Sequence, residues 1–248
     1  RPVEAEGEAV NRMIKLAKMA NYKGLYVVHL STKDGLDYIR KARESGQNVY
    51  AETCPQYLLL DESKYELENN EGLKYIMSPP LRSSENCEAL WQGISDGYIQ
   101  TIATDHCPFS FNKDKQLGKE DFTKCPNGAP GVEERMALIF SEGVMKGRIS
   151  INKFVEVCCT NPAKIFGLYP KKGTIAVGSD ADITIIDPNK DVTLTTDKLH
   201  SNVDYTAYEG FSLKGYPIFT ILRGKIISKD GEFVGKKGYG RYLKRNRI

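Results

Sequence analysis

Apolar and polar positions near the start of the chain alternate with a helical period. Four apolar side chains recur at steps of three and four residues, which predicts an amphipathic helix over about 4–20. These side chains are Val10, Met13, Ile14 and Ala17. A run of strand-forming residues at 25–28 follows and leads to His29. Further strands are predicted at 48–52 and 99–104, and further helices at about 32–46, 88–97, 132–146, 151–158 and 161–167.

Strands that alternate with helices at this spacing predict an α/β fold with parallel strands and right-handed crossovers. The pattern changes near Gly173, where short apolar runs are separated by turn residues and long helices are absent. Strands are predicted there at 174–177, 181–186 and 219–227. We therefore divide the chain into an α/β part, a small β part and a basic tail. Their predicted ranges are 1–171, 172–230 and 231–248.

Three strand-helix units are too few to close an eight-stranded barrel, and an open three-stranded sheet leaves an edge exposed. The pattern thus predicts part of a larger architecture whose other strands lie upstream. The chain also begins with Arg1 rather than Met, so we expect the natural protein to begin earlier. The opening residues lack the apolar segment of a signal peptide.

Composition narrows the class of protein further. The 248 residues are 40% hydrophobic and 27% charged, with a net charge of +3, as in an ordinary globular protein. No apolar run approaches the roughly 18–20 residues that would cross a bilayer. The end of the chain carries a basic cluster of Arg241, Lys244, Arg245 and Arg247. We interpret it as a solvated or subunit-docking tail rather than a nucleic-acid site. Six cysteines without a C-x-x-C pair indicate reduced thiols and a cytoplasmic protein.

Two polar residues stand where predicted strands end. His29 follows the first strand and Asp105 follows the third. In α/β barrels this edge carries the active site, because the loops there converge. Imidazole and carboxylate are good ligands for zinc-like metals, and a carboxylate can also carry a proton. Either residue alone is more often structural, and two such positions on one sheet make a functional site and a structural role about equally frequent explanations.

Other polar positions have a simple structural explanation. Ser78 before two prolines could present backbone groups to a ligand or form a plain turn, and Asn127-Gly128 allows the same two interpretations. Cys107 has only His106 as a nearby base, which argues against a Cys-His nucleophile. We expect His106 to orient its neighbours. We expect His200 to lie at the surface, and Asp180 and Asp182 to form a turn before a strand.

Seven ordered motifs make the chain similar to the hydantoinase/dihydropyrimidinase family of the amidohydrolase superfamily. They extend over nearly the whole chain. The motifs are VVHLS (27–31), ETCPQYL (52–58), MSPPLR (77–82), TDHCPF (104–109), DFTKCPNG (121–128), TNPAKIFGLYPKKGTIAVGSDADI (160–183) and VDYTAYEG (203–210).

The resemblance implies the C-terminal part of a TIM-like (β/α)8 barrel followed by part of a small β-sandwich. It implies two divalent metals, usually zinc, bridged by a hydroxide and a carboxylated lysine. His29 matches the family's metal ligand on the sixth strand. Asp105 matches the ligand on the eighth strand, which also moves the proton. Ser78 and Asn127 match loop positions whose backbone groups hold the substrate ring.

The activity so implied is hydrolysis of the cyclic amide bond of hydantoins or dihydropyrimidines. The two metals generate a nucleophile from water and polarise the ring carbonyl. Asp105 accepts the proton and returns it to the leaving ring nitrogen. The family's remaining ligands, including the carboxylated lysine, have no counterpart in this sequence. A zinc site needs three or four ligands, so we expect this chain alone to hold metal weakly and to turn over poorly.

Two other readings remain open. Some relatives of this family have lost catalysis and act as oligomeric scaffolds, and a metal-free α/β binding module would also explain the strands and helices. Within the enzymes, the allantoinase and dihydroorotase branches are the nearest alternatives, and Gln56 in ETCPQYL favours the hydantoinase branch. The resemblance further implies a small-molecule cyclic diamide as substrate, a homotetramer or homodimer, and no nucleic-acid or membrane partner.

Overall fold

The structure, a computed structural model, describes residues 1–246 and divides into two compact units. Unit 1 comprises Arg1–Arg135 and Thr195–Glu209, and unit 2 comprises Met136–Leu194 and the chain from Gly210 onward. The predicted ranges 1–171, 172–230 and 231–248 divide the chain by type of architecture, which is a different kind of division, and they stay a prediction.

Unit 1 is a parallel sheet with helices packed beside it. Its regular elements are α1 (Val3–Met19), β1 (Leu25–Val27), α2 (Lys33–Glu44), β2 (Val49–Thr53), α3 (Pro55–Leu59), α4 (Ser84–Ser95) and β3 (Thr101–Ile102). Short 3₁₀ helices lie at Glu62–Glu66, Glu71–Tyr75, Lys115–Gly118, Phe122–Lys124 and Thr196–Lys198. Helix α5 (Arg135–Ile139) begins at the last residue of the unit's first segment.

The three strands of unit 1 lie in the order β1-β2-β3, and both pairings are parallel. The α/β prediction is therefore confirmed. Along β2, Val49, Ala51 and Thr53 are fully buried, whereas Tyr50 and Glu52 on the opposite face are half-buried. This alternation follows from the two-residue period of a strand, which points successive side chains to opposite faces.

Helix packing covers one face of this sheet. Helix α2 contacts both α1 and α4, and its Leu36 and Ile39 are buried to 1% exposure or less. The α2 helix begins where the sequence predicts, because the hydroxyl of Thr32 accepts a hydrogen bond from the Gly35 amide at 3.1 Å. Gly93 allows α4 to approach, since a Cβ there would lie 2.7 Å from a methyl carbon of Leu36.

Unit 2 combines helical segments with an antiparallel sheet. Its helices are a π-helix at Phe140–Met145, α6 (Ile151–Val155), a π-helix at Glu156–Thr160 and α7 (Asn161–Ile165). Its strands are β4 (Ile183–Thr193), β5 (Ser212–Leu222), β6 (Lys225–Lys229) and β7 (Glu232–Phe233). They pair in sequence order, and every pairing is antiparallel.

Several predicted elements of unit 2 differ from the observed ones. Residues 174–177 form no strand, and Ile175 is 82% exposed. The predicted strand 219–227 is two strands, because Arg223 and Gly224 both have positive φ (46° and 78°) and reverse the chain. The predicted helices at 132–146 and 151–158 are α-helical only in part and continue as π-helix.

The predicted basic tail, 231–248, contains strand β7 near its start, and its residues 240–246 form no helix or strand. Arg247, the last member of the basic cluster, lies outside the described residues. Among residues 1–246, no helix is long and apolar enough to cross a membrane.

Candidate functional site

His29 and Asp105 lie just beyond the carboxyl ends of two parallel strands. His29 comes two residues after β1, and Asp105 comes three residues after β3. Both adopt left-handed backbone conformations, with φ of 40° and 49°. Such conformations are uncommon for residues other than glycine and concentrate at functional sites. Each of these two strands is thus followed by a residue with an imidazole or carboxylate side chain in a left-handed backbone conformation.

The sheet order brings these two residues to one edge. Since β2 lies between β1 and β3, the strands that carry His29 and Asp105 are about 10 Å apart. His29 is half-buried and Asp105 is exposed. Among residues 1–246, neither the His29 imidazole nor the Asp105 carboxylate has a hydrogen-bond or ion-pair partner. Both side chains are therefore available to a ligand.

Glu52 ties the three strands together next to His29. Its carboxylate accepts a hydrogen bond from the Tyr26 hydroxyl at 2.6 Å and a longer one from the His29 backbone amide at 3.5 Å. The Tyr26 hydroxyl also lies 2.7 Å from the Thr101 hydroxyl. Burial, followed by the hydrogen bond to Glu52, raises the pKa of Tyr26 well above its ordinary value. The network links β1, β2 and β3 through side chains on the half-buried face of the sheet.

The loops of Ser78 and Asn127 lie side by side. The Gly128 amide donates to the Ile76 carbonyl at 3.0 Å, which joins the two loops directly. Ser78 and Asn127 are both exposed. The Asn127 side-chain amide donates to the Cys125 carbonyl at 3.2 Å, so this side chain stabilises its own turn.

The Asn127 loop also contacts the loop of Asp105. The Cys107 amide donates to the Ala129 carbonyl at 3.1 Å, and residues 106 and 129 form a parallel bridge. Gly128 lies so close that a Cβ there would be 2.5 Å from the Cys107 carbonyl oxygen. The structure thus brings Asp105, Ser78 and Asn127 into one cluster of loops. His29 and Pro79 line one shallow depression of about 280 Å³, which places the histidine beside the same cluster.

His106, beside Asp105, is used structurally. Its Nδ1 accepts hydrogen bonds from the amides of Gly131 and Val132 at 3.1 and 3.2 Å, so it orients its neighbours as the sequence suggests. Gln56 is buried and donates to the Thr104 carbonyl at 3.1 Å, just before Asp105. It therefore supports the strand end.

The remaining candidates have the places expected of them. His200 is exposed and pairs with Glu133 at 2.9 Å. Asp180 and Asp182 pair with Lys172 at the turn that leads into β4. All six cysteines are free, and four of them are buried.

A divalent metal fits this edge of the sheet only in part. The unpartnered imidazole and carboxylate of His29 and Asp105 have the chemistry of zinc-type ligands. In the part of the chain that the structure describes, no group of three or more His, Cys, Asp or Glu side chains could hold a metal ion. A complete centre therefore needs ligands from outside these residues.

Two buried charged residues near the site escape detection in the sequence. Lys115 is fully buried, and its burial lowers the pKa of its ammonium group to about 8. Glu134 is also fully buried, and one carboxylate oxygen accepts from the Thr206 hydroxyl at 2.7 Å. Both residues have polar neighbours in the sequence, and no apolar periodicity there indicates a buried position. Their burial could therefore not be predicted from the sequence pattern.

Comparison with known proteins gives consistent results. Residues 8–227 match the Amidohydrolase family. A D-phenylhydantoinase from Escherichia coli O1:K1 / APEC is 53% identical over 245 residues, which are 99% of this chain and 53% of that protein. Dihydropyrimidinase from Brevibacillus agri NCHU1002 has a crystal structure that aligns with a TM-score of 0.96 and 51% identity, over 99% of this chain and 53% of that one.

A second solved structure is equally similar. D-hydantoinase from a Bacillus sp. AR9 aligns with a TM-score of 0.96 and 51% identity, covering 99% of this chain and 54% of that one. The chain thus spans about half the length of the relatives that it matches. The resemblance seen in the ordered motifs is confirmed, and so is the prediction of a partial barrel. This chain belongs to the amidohydrolase family, and its similar relatives are hydantoinases and dihydropyrimidinases.

Proposed function

We propose that the protein hydrolyses the cyclic amide bond of hydantoins or dihydropyrimidines at a centre of two divalent metals, to which this chain contributes His29 and Asp105. One observation carries the proposal. Two unpartnered side chains of the ligand type stand at left-handed backbone positions on the same edge of a parallel sheet. The names of the similar relatives support the reaction class.

The chemistry divides between the metals and the protein. When bound, divalent metals activate water at neutral pH and polarise the ring carbonyl. Asp105 accepts the proton of the attacking water and delivers it to the ring nitrogen as the amide bond breaks. Its exposed carboxylate has no competing partner among residues 1–246, so the oxygen that accepts the proton is free to do so. His29 contributes an imidazole nitrogen as a ligand.

Ser78 and Asn127 hold the substrate ring through backbone groups. Their loops are joined to each other and to the loop of Asp105, so a ring held between them is fixed relative to the proton carrier. Fixing the ring in this way lowers the entropic part of the barrier. The hydroxyl of Ser78 has no partner among the described residues and is also available to the ring.

Further features belong to the same proposal. The metals would be zinc, held by His29 and Asp105 together with a carboxylated lysine from outside these 248 residues. The protein acts in the cytoplasm, in keeping with its six free cysteines. It forms a homotetramer or homodimer, in keeping with large apolar side chains that are exposed here, such as Met19 at 83% and Tyr22 at 70%.

The test uses the full-length protein and a panel of hydantoin, dihydrouracil, allantoin and dihydroorotate. We expect ring opening of the first two, measured by loss of ultraviolet absorbance. Asp105→Asn keeps the size of the side chain but removes the proton acceptor, so the rate should fall by at least about a hundredfold. Asp37→Asn, a surface carboxylate that pairs with Lys33, is the matched control and should retain the wild-type rate.

Each other outcome has a definite meaning. A metal-free protein that opens none of the four rings would support an oligomeric scaffold instead of an enzyme. Opening of allantoin or dihydroorotate alone would place the protein in a neighbouring branch of the superfamily. Full activity of Asp105→Asn would remove Asp105 from the mechanism.

A further inference from the structure

Lys115 occupies an unusual position between the two loops that would hold substrate. Its side chain is fully buried, and its Nζ donates to the Ile76 carbonyl and to the Pro126 carbonyl, each at 2.7 Å. Ile76 lies two residues before Ser78, and Pro126 immediately precedes Asn127. A single ammonium group therefore bridges the loops of both proposed substrate-binding residues.

The surroundings of Lys115 keep it in place. Its backbone amide donates to the Ser110 carbonyl at 3.0 Å, and its own carbonyl lies 3.8 Å from the Cys125 sulfur. The Nζ lies 5.8 Å from the centre of the Phe109 ring. No carboxylate pairs with this ammonium group among the residues that the structure describes. Within residues 1–246, the oxygen atoms that accept from Lys115 Nζ are the two backbone carbonyls.

Stability alone does not explain a lysine here. An ammonium group without a counter-ion is costly to bury, and an apolar side chain of similar length would avoid that cost. The lowered pKa of Lys115, about 8, reflects this desolvation. Buried charges that are retained despite such a cost concentrate at functional sites.

The hydrogen bonds of Lys115 also affect the N–H groups of the peptides whose carbonyls it contacts. In a trans peptide the carbonyl and the N–H point in opposite directions. A cation bound to the Pro126 carbonyl therefore polarises the N–H of Asn127, which points away from the lysine and becomes a stronger donor. The Ile76 carbonyl receives both Lys115 and the Gly128 amide, so the same contact holds the two loops together.

We infer that Lys115 is a positioning residue that fixes the spacing of the Ser78 and Asn127 loops and strengthens the Asn127 N–H as a donor to the substrate ring. This inference rests on the proposed function. Lys115 does not contact the reacting atoms, and it acts through the backbone of the residues that do. Because the ring is held before and during the reaction, loss of this contact weakens binding of both states.

The experiment measures kcat, KM and metal content in the full-length protein with hydantoin as substrate. We expect Lys115→Met to raise KM by about tenfold or more while kcat changes less than about threefold, since uniform binding is lost. Metal content should equal that of the wild type. Lys115→Gln keeps a hydrogen-bond donor and should give an intermediate KM. Lys113→Met removes an exposed lysine of the same loop and is the matched control.

Hydrogen exchange provides a second measurement that a general loss of stability would not reproduce. The Gly128 amide should exchange faster in Lys115→Met, while amides of helix α2 should keep their wild-type rates. If Lys115→Met does not fold, Lys115→Gln carries the same comparison.

The outcomes separate this inference from the function on which it rests. A wild-type protein that opens no cyclic diamide overturns both. An active wild type with an unchanged KM in Lys115→Met and Lys115→Gln overturns only the role of Lys115. A fall in kcat together with loss of metal would place Lys115 in the metal centre and also overturn the inference.

Discussion

Replacing Gly128 with alanine tests how closely the Asp105 and Asn127 loops approach each other. Gly128 has φ of 148°, a conformation that is almost exclusive to glycine. A Cβ at this position would lie 2.5 Å from the Cys107 carbonyl oxygen and 2.7 Å from the Cys107 Cβ. Both contacts are far shorter than the roughly 3.5 Å at which such atoms attract, so the two loops must separate.

The cost can be worked out from these two effects. The backbone conformation costs about 1–3 kcal/mol for any residue with a side chain. The crowding against Cys107 costs about 1–3 kcal/mol more, because a backbone carbonyl moves less easily than a side chain. We therefore expect Gly128→Ala to lower the free energy of unfolding by about 2–6 kcal/mol, measured by urea denaturation of this chain.

Gly46→Ala is the matched control within unit 1. Gly46 has φ of 85°, but no atom lies within 4 Å of a Cβ built on it. Only the conformational cost applies there, about 1 kcal/mol. In the full-length protein, separation of the loops should also lower kcat/KM on the order of a hundredfold for Gly128→Ala. Equal stability of Gly128→Ala and Gly46→Ala would show that the Asp105 and Asn127 loops do not lie this close.

Three further changes probe single contacts of unit 1. Thr32→Ala removes the cap of helix α2 on the Gly35 amide and should cost about 1 kcal/mol in urea denaturation. Thr206→Val removes the 2.7 Å hydrogen bond to the buried carboxylate of Glu134 and should cost about 1–3 kcal/mol by the same measurement. Lys115 has a pKa of about 8 in the folded chain against its usual 10.5. Between pH 8 and 10.5 the unfolded chain therefore holds a proton on Lys115 that the folded chain has lost. The unfolding free energy of the wild type relative to Lys115→Met should therefore rise by up to about 3 kcal/mol from pH 8 to 10.5.

The controls for these changes come from the same chain. Thr196→Val removes a similar hydrogen bond to Glu209, but at the surface, and should cost less than Thr206→Val. Comparing the wild type with Lys115→Met cancels the titration of other buried groups such as Tyr208, whose pKa is raised by burial. A difference that stays flat from pH 8 to 10.5 would show that Lys115 is not desolvated. Unchanged stability of Thr32→Ala or Thr206→Val would rule out the corresponding hydrogen bond as a stabilising contact.

Much of the α/β unit could be predicted from local sequence. In α1, Val10, Ile14 and Ala17 are buried as the apolar period predicts, whereas Met13 is 47% exposed. Helix α2 and strand β2 lie within two residues of their predicted ranges. Parallel strands share a carboxyl edge, so the position of His29 and Asp105 at one edge follows from the strand order. Their left-handed backbone conformations could not be read from the sequence, since many residues follow strands without adopting them.

The errors have physical causes as well. Three of residues 174–177 are β-branched (Thr174, Ile175 and Val177), but no strand pairs with this segment in the described chain, so strand propensity alone was misleading. The turn at Arg223 and Gly224 lies inside an apolar run, where only the glycine marks it. Lys115 stands in a polar loop with other lysines, and its burial depends on contacts that are distant in sequence.

Anomalous diffraction from crystals of the full-length protein would show whether His29 and Asp105 meet at one sheet edge to hold a pair of metals. We expect two peaks about 4 Å apart, one within about 2.1 Å of a His29 nitrogen and the other within about 2.1 Å of an Asp105 oxygen. Peaks that lie elsewhere, with both side chains beyond bonding distance, would contradict the account.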